Sequence, residues 1–585
     1  VLDPNEINPY EIFGEYAYLE IIDDQSVDNQ WTPGTHTLTA KYFGVTNEFE
    51  VTVAENKDNT EFKYIEQGGN VYITDYIGSS ETVTVPSEID GKRVAAITNF
   101  DLSHSKDLSF VKKLILPEDV KSVSYDALQS LSALEYAEIG ADVTQLYNDY
   151  FPDTLKGITV SKNNESYYSL DDVVYNKTVT AIVVYPFSRG RRLSLPSTVT
   201  DVSVISESGA NVDLDISDDS ESFITLDGIT YTGDMKTVVA CDSTKSGKYI
   251  MPPSVVNVSA GAFANCTNLT EVKLSNKLTS VVYKMFLNCT SLKTVTVPDS
   301  VVSVADGAFE NCTALSEISL PNAVTYIGLD AFYCSGLTKI SLPQQLEHID
   351  SRAFEKSQLK SISIPESVSY ISLRAFASTP LTSLTLPSTD VVIGNEAFAH
   401  TGLTELTIPS GPVLRSYVFG DCQNLKKVTI AEGRTALEYE IFSGCTALET
   451  VVLPTTLNGI NESALSKCTS LKNITLPENL TVIGEGAFSD CKSLVTLNFP
   501  QSIREIEGGA FMNCGLTSVK LPDNLEYLGY GAFSGCPLSE LEIKNISEIG
   551  GETFCGAEIT KIILPDTVTT IAYRAFADCS KLLDI

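Results

Sequence analysis

The chain has 585 residues, of which 43% are hydrophobic and 20% are charged, and this composition excludes an intrinsically disordered protein. The 40 Lys and Arg residues against 75 Asp and Glu residues give a formal net charge of −35. A negative field of this size repels phosphate backbones, so nucleic acid is not an expected partner. No apolar run reaches the ~20 residues that a membrane-spanning helix needs, so we expect no membrane span in this chain.

The first predicted element is a hairpin within GTHTLTAKYFGVTNEFEVTV, residues 34–53, where apolar and polar residues alternate around FGVTN. This hairpin resembles the last two strands of a bacterial Ig-like domain. Residues 1–56 are fewer than the ~100 residues of a full sandwich, so we predict a partial Ig-like module there. The chain begins at Val1 and ends at Ile585 inside a repeat, and we therefore expect it to be a piece of a longer protein.

Residues 57–250 are predicted to form irregular rungs of a repeat array, with two inserted hairpins. The segment VKKLILPEDVKSVSYDALQSLSALEYAEI, residues 111–139, keeps the repeat frame with Leu128 and Leu131 at its two core positions. An internal repeat at an offset of 56 residues follows, since SLDDVVYNKTVTAIVVYPF starts at Ser169 and TLDGITYTGDMKTVVACDS starts at Thr225. Each copy predicts a hairpin, with turns near residues 176–177 and 233–234.

Residues 251–585 repeat the motif Ala-Phe-x-x-Cys-x-x-Leu with a period of about 22 residues, because 14 steps separate Phe263 from Phe576. A period of 20–29 residues that contains Leu-x-x-Leu-x-Leu indicates a leucine-rich repeat. The chain carries this segment as LTEVKL at 269–274, LSEISL at 315–320 and LTSLTL at 381–386. The aromatic position, here called the plug, holds Phe263, Phe286, Phe309, Phe332, Phe354, Phe376, Phe398, Phe419, Phe442, Leu465, Phe488, Phe511, Phe533, Phe554 and Phe576.

Each rung is predicted to bury apolar side chains at three places. In LTEVKLSNKLTSVVYKMF, Leu269, Val272 and Leu274 point inward, the last two at strand spacing. A second apolar pair follows, such as Val324 and Ile327, and a short helical or 3₁₀ turn then places the plug in the interior. Stacked rungs form a continuous core with parallel strands on one face. Proline, which cannot extend a hydrogen-bonded ladder, ends the strand at Pro298, Pro321, Pro343, Pro365, Pro387, Pro454, Pro477, Pro522 and Pro565.

The pattern LPxxVxxIGxxAFxxCxxLxxV resembles the BspA-like, or Treponema-type, leucine-rich repeats of bacterial surface proteins. LPNAVTYIGLDAFYCSGLTKISLP at 320–343 nearly matches that consensus, and residues 62–97 are similar to the usual first rung of the family. The resemblance covers roughly residues 60–585. It implies an α/β fold: a right-handed leucine-rich-repeat solenoid with a parallel strand face and short helical or 3₁₀ turns opposite, after the small all-β module. It also implies a non-enzymatic binding protein at the surface of a bacterium or secreted from it.

The thirteen cysteines form a ladder rather than a disulfide framework. Ser357, Thr379 and Thr401 fill the same slot in other rungs, so the slot requires a small side chain. Stacking brings neighbouring cysteines to ~4.8 Å, which permits bridges, but the count is odd and stacked Cβ vectors run parallel. We predict reduced, buried thiols. Ten cysteines lie three residues after the plug: Cys266, Cys289, Cys312, Cys422, Cys445, Cys468, Cys491, Cys514, Cys536 and Cys579.

The sequence carries no catalytic motif. It lacks a Gly-x-Ser-x-Gly elbow, a Walker loop and His-Glu-x-x-His, and no Cys-x-x-Cys pair with a nearby His completes a zinc ligand set. His348 and His400 fall in loop-like parts of their rungs, and no candidate nucleophile lies near His36 or His104. We predict no enzymatic activity, no catalytic residue, no cofactor and no metal site.

Two charged segments admit a functional and a structural interpretation. NVDLDISDDSES, residues 211–222, is either a weak calcium site or a solvated loop or degenerate rung, and it lacks the EF-hand pattern. SRGRR, residues 188–192, either grips a carboxylate or phosphate or tips a hairpin. We favour the structural interpretation for both.

Two faces of the regular rungs compete as the binding surface. The outward strand residues are mostly Ser, Thr, Lys and Glu, and the strand propensity of Thr explains them as a soluble sheet. Tyrosines recur instead six or three residues before the plug, in columns along one flank. Half-buried packing between rungs is the simpler explanation for them, but tyrosine is also enriched at recognition surfaces. The predicted partner-binding residues are Tyr283, Tyr326, Tyr370, Tyr439, Tyr527, Tyr530 and Tyr573.

The predicted function is adhesion: a long solenoid surface presented to protein partners on host or neighbouring cells. The alternative is a passive spacer or scaffold segment of a larger surface protein, with its active module elsewhere. We expect the chain to be a monomer.

Overall fold

The computed structural model of the protein describes residues 19–23, 34–42, 45–53, 57–59, 61–98 and 107–583. The chain divides into two compact units, unit 1 (Val1–Phe223) and unit 2 (Ile224–Ile585). Most of the predicted Ig-like module, and His104, lie outside the described residues. The strands Gly34–Tyr42 and Val45–Val53 pair antiparallel along their whole length, as the hairpin pattern predicts, and Leu19–Asp23 pairs with the first of them.

Unit 1 contains the entry rung and the irregular rungs. The strands Phe62–Gln67 and Asn70–Tyr76 form the entry hairpin. Parallel strands then stack in the order Thr82–Thr84, Lys113–Ile115, Tyr136–Ile139 and Gly157–Val160. Leu128 and Leu131 are buried, as predicted. The other strands of this unit are Lys57–Asp58, Glu88–Ile89, Lys92–Ile97, Ser122–Val123, Arg192–Leu195 and Asp213–Ile216.

The two inserted segments are three-stranded meanders rather than simple hairpins. The first comprises Tyr167–Leu170, Val173–Asn176 and Ile182–Val184, and the second comprises Phe223–Leu226, Ile229–Thr232 and Thr237–Cys241. The predicted turns after residues 176 and 232 are present. Sequence reasoning missed the additional turn before each of them, where Asp171, Asp172, Asp227 and Gly228 adopt positive φ.

Unit 2 is a solenoid with two strips of parallel strands. The strand face consists of Gly247–Ile250, Leu269–Lys273, Thr294–Thr296, Glu317–Ser319, Lys339–Ser341, Ser361–Ser363, Ser383–Thr385, Glu405–Ile408, Lys427–Ile430, Thr450–Val452, Asn473–Ile474, Ser518–Lys520 and Glu540–Glu542. The second strip, here called the flank sheet, consists of Asn257–Val258, Ser280–Val281, Ser303–Val304, Tyr326–Ile327, His348–Ile349, Tyr370–Ile371, Val392–Ile393, Val413–Leu414, Ala436–Leu437, Gly459–Ile460, Val482–Ile483, Glu505–Ile506, Tyr527–Leu528, Glu548–Ile549 and Thr570–Ile571.

Helix is scarce in the described part of the chain. It is confined there to Tyr125–Gln129, capped by the Ser124 hydroxyl, and Ser203–Ser208, with 3₁₀ turns at Asn148–Tyr150 and Phe187–Arg189. None of these described helices has the length and apolar character needed to cross a bilayer. The parallel-strand solenoid predicted from the repeats is therefore confirmed, with turns in place of most of the expected helical segments.

The plug phenylalanines stack in a column through the solenoid interior. From Phe263 to Phe442 consecutive ring centroids lie 5.0–6.0 Å apart, and the rings from Phe309 to Phe398 are within 8° of parallel. Leu465 interrupts the column, which resumes from Phe488 to Phe576. Offset stacking of this kind adds to the burial of the apolar rings.

Backbone amides in the plug turns alternate between two kinds of hydrogen bond. One amide donates to a carbonyl of its own rung, and its neighbour donates to a carbonyl of the next rung. The Ala264 amide donates to the Gly261 carbonyl at 2.7 Å, a 3₁₀-type bond, whereas the Phe263 amide donates to the Met285 carbonyl of the next rung at 3.1 Å. This alternation satisfies the backbone without a continuous helix. It also requires positive φ on both sides of the plug, at Gly261 (63°) and Asn265 (58°), which explains the Gly of GAF and the Asn before Cys.

The cysteine slot is a hydrogen-bonding position as well as a small one. All thirteen cysteines are free thiols, and ten of them are buried. The Cys312 thiol donates to the Phe286 carbonyl of the preceding rung at 3.1 Å, and the Cys514 thiol donates to the Phe488 carbonyl at 2.9 Å. The Thr379 hydroxyl, in the same slot, donates to the carbonyl of its own plug at 2.8 Å. The slot therefore requires a small side chain, and its cysteines and threonines also donate hydrogen bonds to backbone carbonyls, whereas the buried Ser357 hydroxyl has no such partner.

Replacement of an interior plug tests the core. We expect Phe309→Ala to lower the free energy of unfolding by about 3–5 kcal/mol, because it leaves a cavity between two stacked rings. Phe576→Ala is the matched control, since Phe576 is half-buried and stacks on Phe554 alone among the described residues. Urea denaturation followed by circular dichroism measures both. If the urea midpoint of Phe309→Ala equals that of the parent protein, the assignment of Phe309 to the core is wrong.

Thiol reactivity tests the ladder. Burial raises the pKa of the Cys312 and Cys468 thiols, so they carry little reactive thiolate at neutral pH. We expect at most the three half-buried cysteines, Cys334, Cys555 and Cys579, to react readily with a colorimetric thiol reagent in the native protein. Denaturation without reductant should expose all thirteen thiols. Recovery of mostly oxidised cysteines after that denaturation would show that the ladder is disulfide-bonded.

Candidate binding surfaces

Six of the seven predicted tyrosines are exposed. The exposed fraction runs from 37% at Tyr283 to 77% at Tyr573. Tyr326 is half-buried, and its hydroxyl donates to the Asp350 carboxylate at 2.8 Å. Burial and this carboxylate together raise the pKa of Tyr326. Packing between rungs therefore explains Tyr326, whereas the other six rings lie in solvent.

The flank sheet groups two of these tyrosines with a histidine. Tyr326, His348 and Tyr370 occupy the same register position on three successive strands. The His348 and Tyr370 rings lie 6.5 Å apart, and both side chains are exposed. His348 was interpreted from the sequence as a loop residue, but it belongs to this aromatic patch. The signal for it was its position six residues before the plug, the same as that of the flank tyrosines.

The remaining tyrosines do not form one continuous column. Tyr527 and Tyr530 share one rung, and Tyr573 lies two rungs further along the chain. Gly551 separates the last two, and a Cβ atom there would approach the Tyr530 ring to 3.2 Å. Tyr283 and Tyr439 lie on separate rungs with non-aromatic residues at the equivalent position of their neighbours. The structure thus resolves the predicted flank into two aromatic patches and two single tyrosines.

The backbone that carries the turn tyrosines is held by the preceding rung. The Tyr283, Tyr530 and Tyr573 carbonyls accept hydrogen bonds from amides of the preceding rung at 2.8–3.0 Å. A side-chain ladder lies beside the turns, where the Asn288 amide donates to Asn265 and the Asn311 amide donates to Asn288, both at 2.8 Å. The exposed rings are therefore presented from a fixed scaffold.

The strand face is polar, and several of its charges are paired between rungs. Lys248 and Glu271 are register partners with a 2.6 Å ion pair, and Glu317 and Lys339 form another at 2.8 Å. A shallow groove of about 580 Å³ crosses this face and is lined mainly by Ser, Thr and aliphatic side chains. Small side chains and mutually neutralised charges offer little contact area to a partner.

The charged segments of unit 1 take part in its fold. Arg189 donates to the Asp171 carbonyl at 2.8 Å, and Arg192 pairs with Asp215 at 3.4 Å. The acidic run contributes Asp213–Ile216 as a strand that pairs with Arg192–Leu195. Across the described residues, no group of three or more His, Cys, Asp or Glu side chains is arranged to hold a metal ion.

Sequence reasoning missed a cleft in unit 1. Its volume is about 860 Å³, and it lies beside the 3₁₀ turns Asn148–Tyr150 and Phe187–Arg189. The signal was the segment LYNDYF at 146–151, in which three aromatic residues flank an Asp within a degenerate rung. We call this feature the unit-1 cleft.

A family model described as BspA type leucine rich repeat region (6 copies) matches residues 92–194, 239–346, 280–401, 391–517 and 504–585. No curated protein matches the chain.

Several solved structures are similar at low identity. A leucine-rich repeat protein from Bacteroides ovatus is 19% identical, with 90% of this chain and 99% of that chain covered and a TM-score of 0.30. A leucine rich cell surface protein from Faecalibacterium prausnitzii is 20% identical, with 76% and 94% covered and a TM-score of 0.29. The pneumococcal vaccine antigen PcpA is 14% identical, with 74% and 94% covered and a TM-score of 0.26.

The asparagine ladder provides a test of the scaffold. Asn288 has a φ of 59° and bonds to Asn265 and Asn311. Asn288→Ala loses these bonds and also strains the backbone, whereas Asn288→Gly loses the bonds without strain. We therefore expect the alanine variant to have a free energy of unfolding about 1 kcal/mol lower than that of the glycine variant. Asn322, exposed and without positive φ, is the control at which glycine should not be the better replacement. Thermal melting measures all four variants. If the glycine variant is more stable than the alanine variant at position 322 as well as at position 288, the strained conformation at Asn288 is not the cause.

Proposed function

The chain belongs to the BspA-type leucine-rich-repeat family, and from that premise we propose that it is a non-enzymatic adhesion protein displayed outside a bacterial cell. The fold alone does not define a function, so the proposal depends on the exposed surfaces. The family resemblance supports the extracellular address and a protein ligand on a host or neighbouring cell.

The observation that carries the proposal is the exposure of six flank tyrosines on a hydrogen-bonded scaffold. A tyrosine ring supplies a large contact area with few rotatable bonds, and its hydroxyl is compatible with water when no partner is bound. The patch Tyr326–His348–Tyr370 is the best candidate for a contact centre, because its rings occupy consecutive strands of one sheet.

The strand face is the weaker candidate, because its side chains are small and polar. Its hydroxyls exchange hydrogen bonds with water for similar bonds with a partner, which yields little net free energy. Several of its lysines and glutamates are already paired along the ladder, and exposed pairs of this kind contribute only a few tenths of a kcal/mol. A partner that docks there must break these pairs or leave them in place.

Paired variants test which face binds. A panel of purified extracellular-matrix proteins and glycans first identifies a ligand of the full chain by biolayer interferometry. We then expect Tyr370→Ala to weaken binding by about 1–2 kcal/mol, roughly 5- to 30-fold in Kd, because it removes a ring from the contact centre. Thr385→Ala, on the strand face, should change Kd by less than twofold. Circular dichroism and thermal melting of both variants establish that they are folded.

Two results would contradict this assignment. Loss of binding in Thr385→Ala with full binding in Tyr370→Ala would place the site on the strand face. Failure of every ligand class in the panel would favour the alternative function, a passive spacer within a larger surface protein.

A further inference from the structure

The unit-1 cleft has an apolar floor and an aromatic rim. Phe151 and Tyr185 are buried in its wall, and Phe187 is half-exposed beside them. Tyr147 stands at the rim with 51% of its surface exposed. A concave volume of about 860 Å³ lies within the ~300–1,000 Å³ typical of ligand sites.

The rim tyrosine belongs to a cluster of three rings. The Tyr147 and Tyr150 ring centroids lie 5.0 Å apart, and the Tyr125 and Tyr150 centroids lie 5.6 Å apart in an edge-on arrangement. Tyr125 is also exposed, at the start of the helix Tyr125–Gln129. Exposed aromatic clusters of this kind are uncommon on surfaces without a binding role.

The turn that carries the rim is fixed on both sides. The Asn148 side chain accepts a hydrogen bond from the Tyr185 amide at 2.9 Å, and the Gln129 side chain donates to the Asp149 carbonyl at 2.8 Å. The next segment is tied by Ser188, whose hydroxyl donates to the Asp153 carbonyl at 2.6 Å. The cleft is therefore formed before any ligand arrives, which lowers the entropic cost of binding.

The charges of the cleft are of one sign. Asp149 and Asp153 line it with exposed carboxylates, and neither Lys, Arg nor His is among the lining residues. Lys156 pairs with Glu135 at 2.9 Å and Arg192 pairs with Asp215 at 3.4 Å, rather than with either cleft carboxylate. The whole chain adds a long-range negative field, with a net charge of −35. This charge distribution is complementary to a cation and unfavourable to an anion.

We propose that the unit-1 cleft binds an arginine or lysine side chain presented by an extended segment of a protein partner. The cation lies against the face of Tyr147, where cation–π attraction operates, with Asp149 and Asp153 as its counter-charges. The apolar floor around Phe187 takes the aliphatic stem and an adjacent apolar residue of the segment. This site lies in unit 1 and is independent of the tyrosine flank of unit 2.

The test uses the full chain and two fluorescent heptapeptide mixtures that differ only at the fixed central residue, arginine or its neutral isostere citrulline. Fluorescence anisotropy at 50 mM NaCl measures each titration up to 1 mM peptide. We expect saturable binding of the arginine mixture at least tenfold tighter than that of the citrulline mixture. Binding should weaken several-fold at 300 mM NaCl, because the pairing is electrostatic and partly exposed.

Variants locate the site. Asp149→Asn combined with Asp153→Asn should reduce affinity for the arginine mixture at least fivefold, and Tyr147→Ala should do the same. Tyr147→Phe keeps the ring and should retain binding. Asp218→Asn and Tyr136→Ala are matched controls, since both side chains are exposed in unit 1 outside the cleft lining, and neither should change affinity.

Three outcomes overturn the proposal: no saturable binding of the arginine mixture, equal affinity for the arginine and citrulline mixtures, or equal losses in the cleft and control variants. Binding of a neutral oligosaccharide such as maltohexaose in place of the peptides would also overturn it. It would show that the aromatic rim stacks on sugar rings and that the carboxylates accept hydroxyl hydrogen bonds.

Discussion

The stacking of each rung on the next is the interaction on which the rest of this structure depends. One rung of about 22 residues has too little apolar surface to bury by itself, so its core exists only between neighbours. Three ladders enforce the stacking: the parallel strands, the alternate amides of the plug turns and the ring column from Phe263 onward. Each ladder has the same repeat, so equivalent positions of successive rungs require side chains of similar size and polarity.

This constraint separates residues that serve the stack from residues that are free to serve a partner. The plugs, the cysteine slot and the two positive-φ positions are required by the stack, so these residues are not available to contact a partner. The outward positions of the flank carry no such requirement, yet six of the predicted positions hold exposed tyrosine. The irregular rungs of unit 1 relax the repeat further, and the space that this opens is the cleft beside Tyr147.

Periodicity was sufficient to predict the solenoid, the plug column and the buried cysteine ladder, because each follows from a position repeated in most rungs. It was insufficient where a feature depends on hydrogen bonds across rungs. The donor role of the slot, seen in Cys312, and the asparagine ladder around Asn288 arise from the distance between turns. His348 was misinterpreted because its neighbours in space are 22 residues away in sequence, and the cleft was missed because its walls come from segments without a repeat.

Hydrogen–deuterium exchange of the native full chain is the most direct test of this account. Because plug amides such as Phe263 and Phe309 donate to carbonyls of the next rung, and their neighbours donate within the turn, the turns should exchange as slowly as the strands across unit 2. Slow strands combined with plug turns that exchange within seconds would contradict the account. Such a result would mean that the turns are not part of the stack and do not hold the flank tyrosines in place.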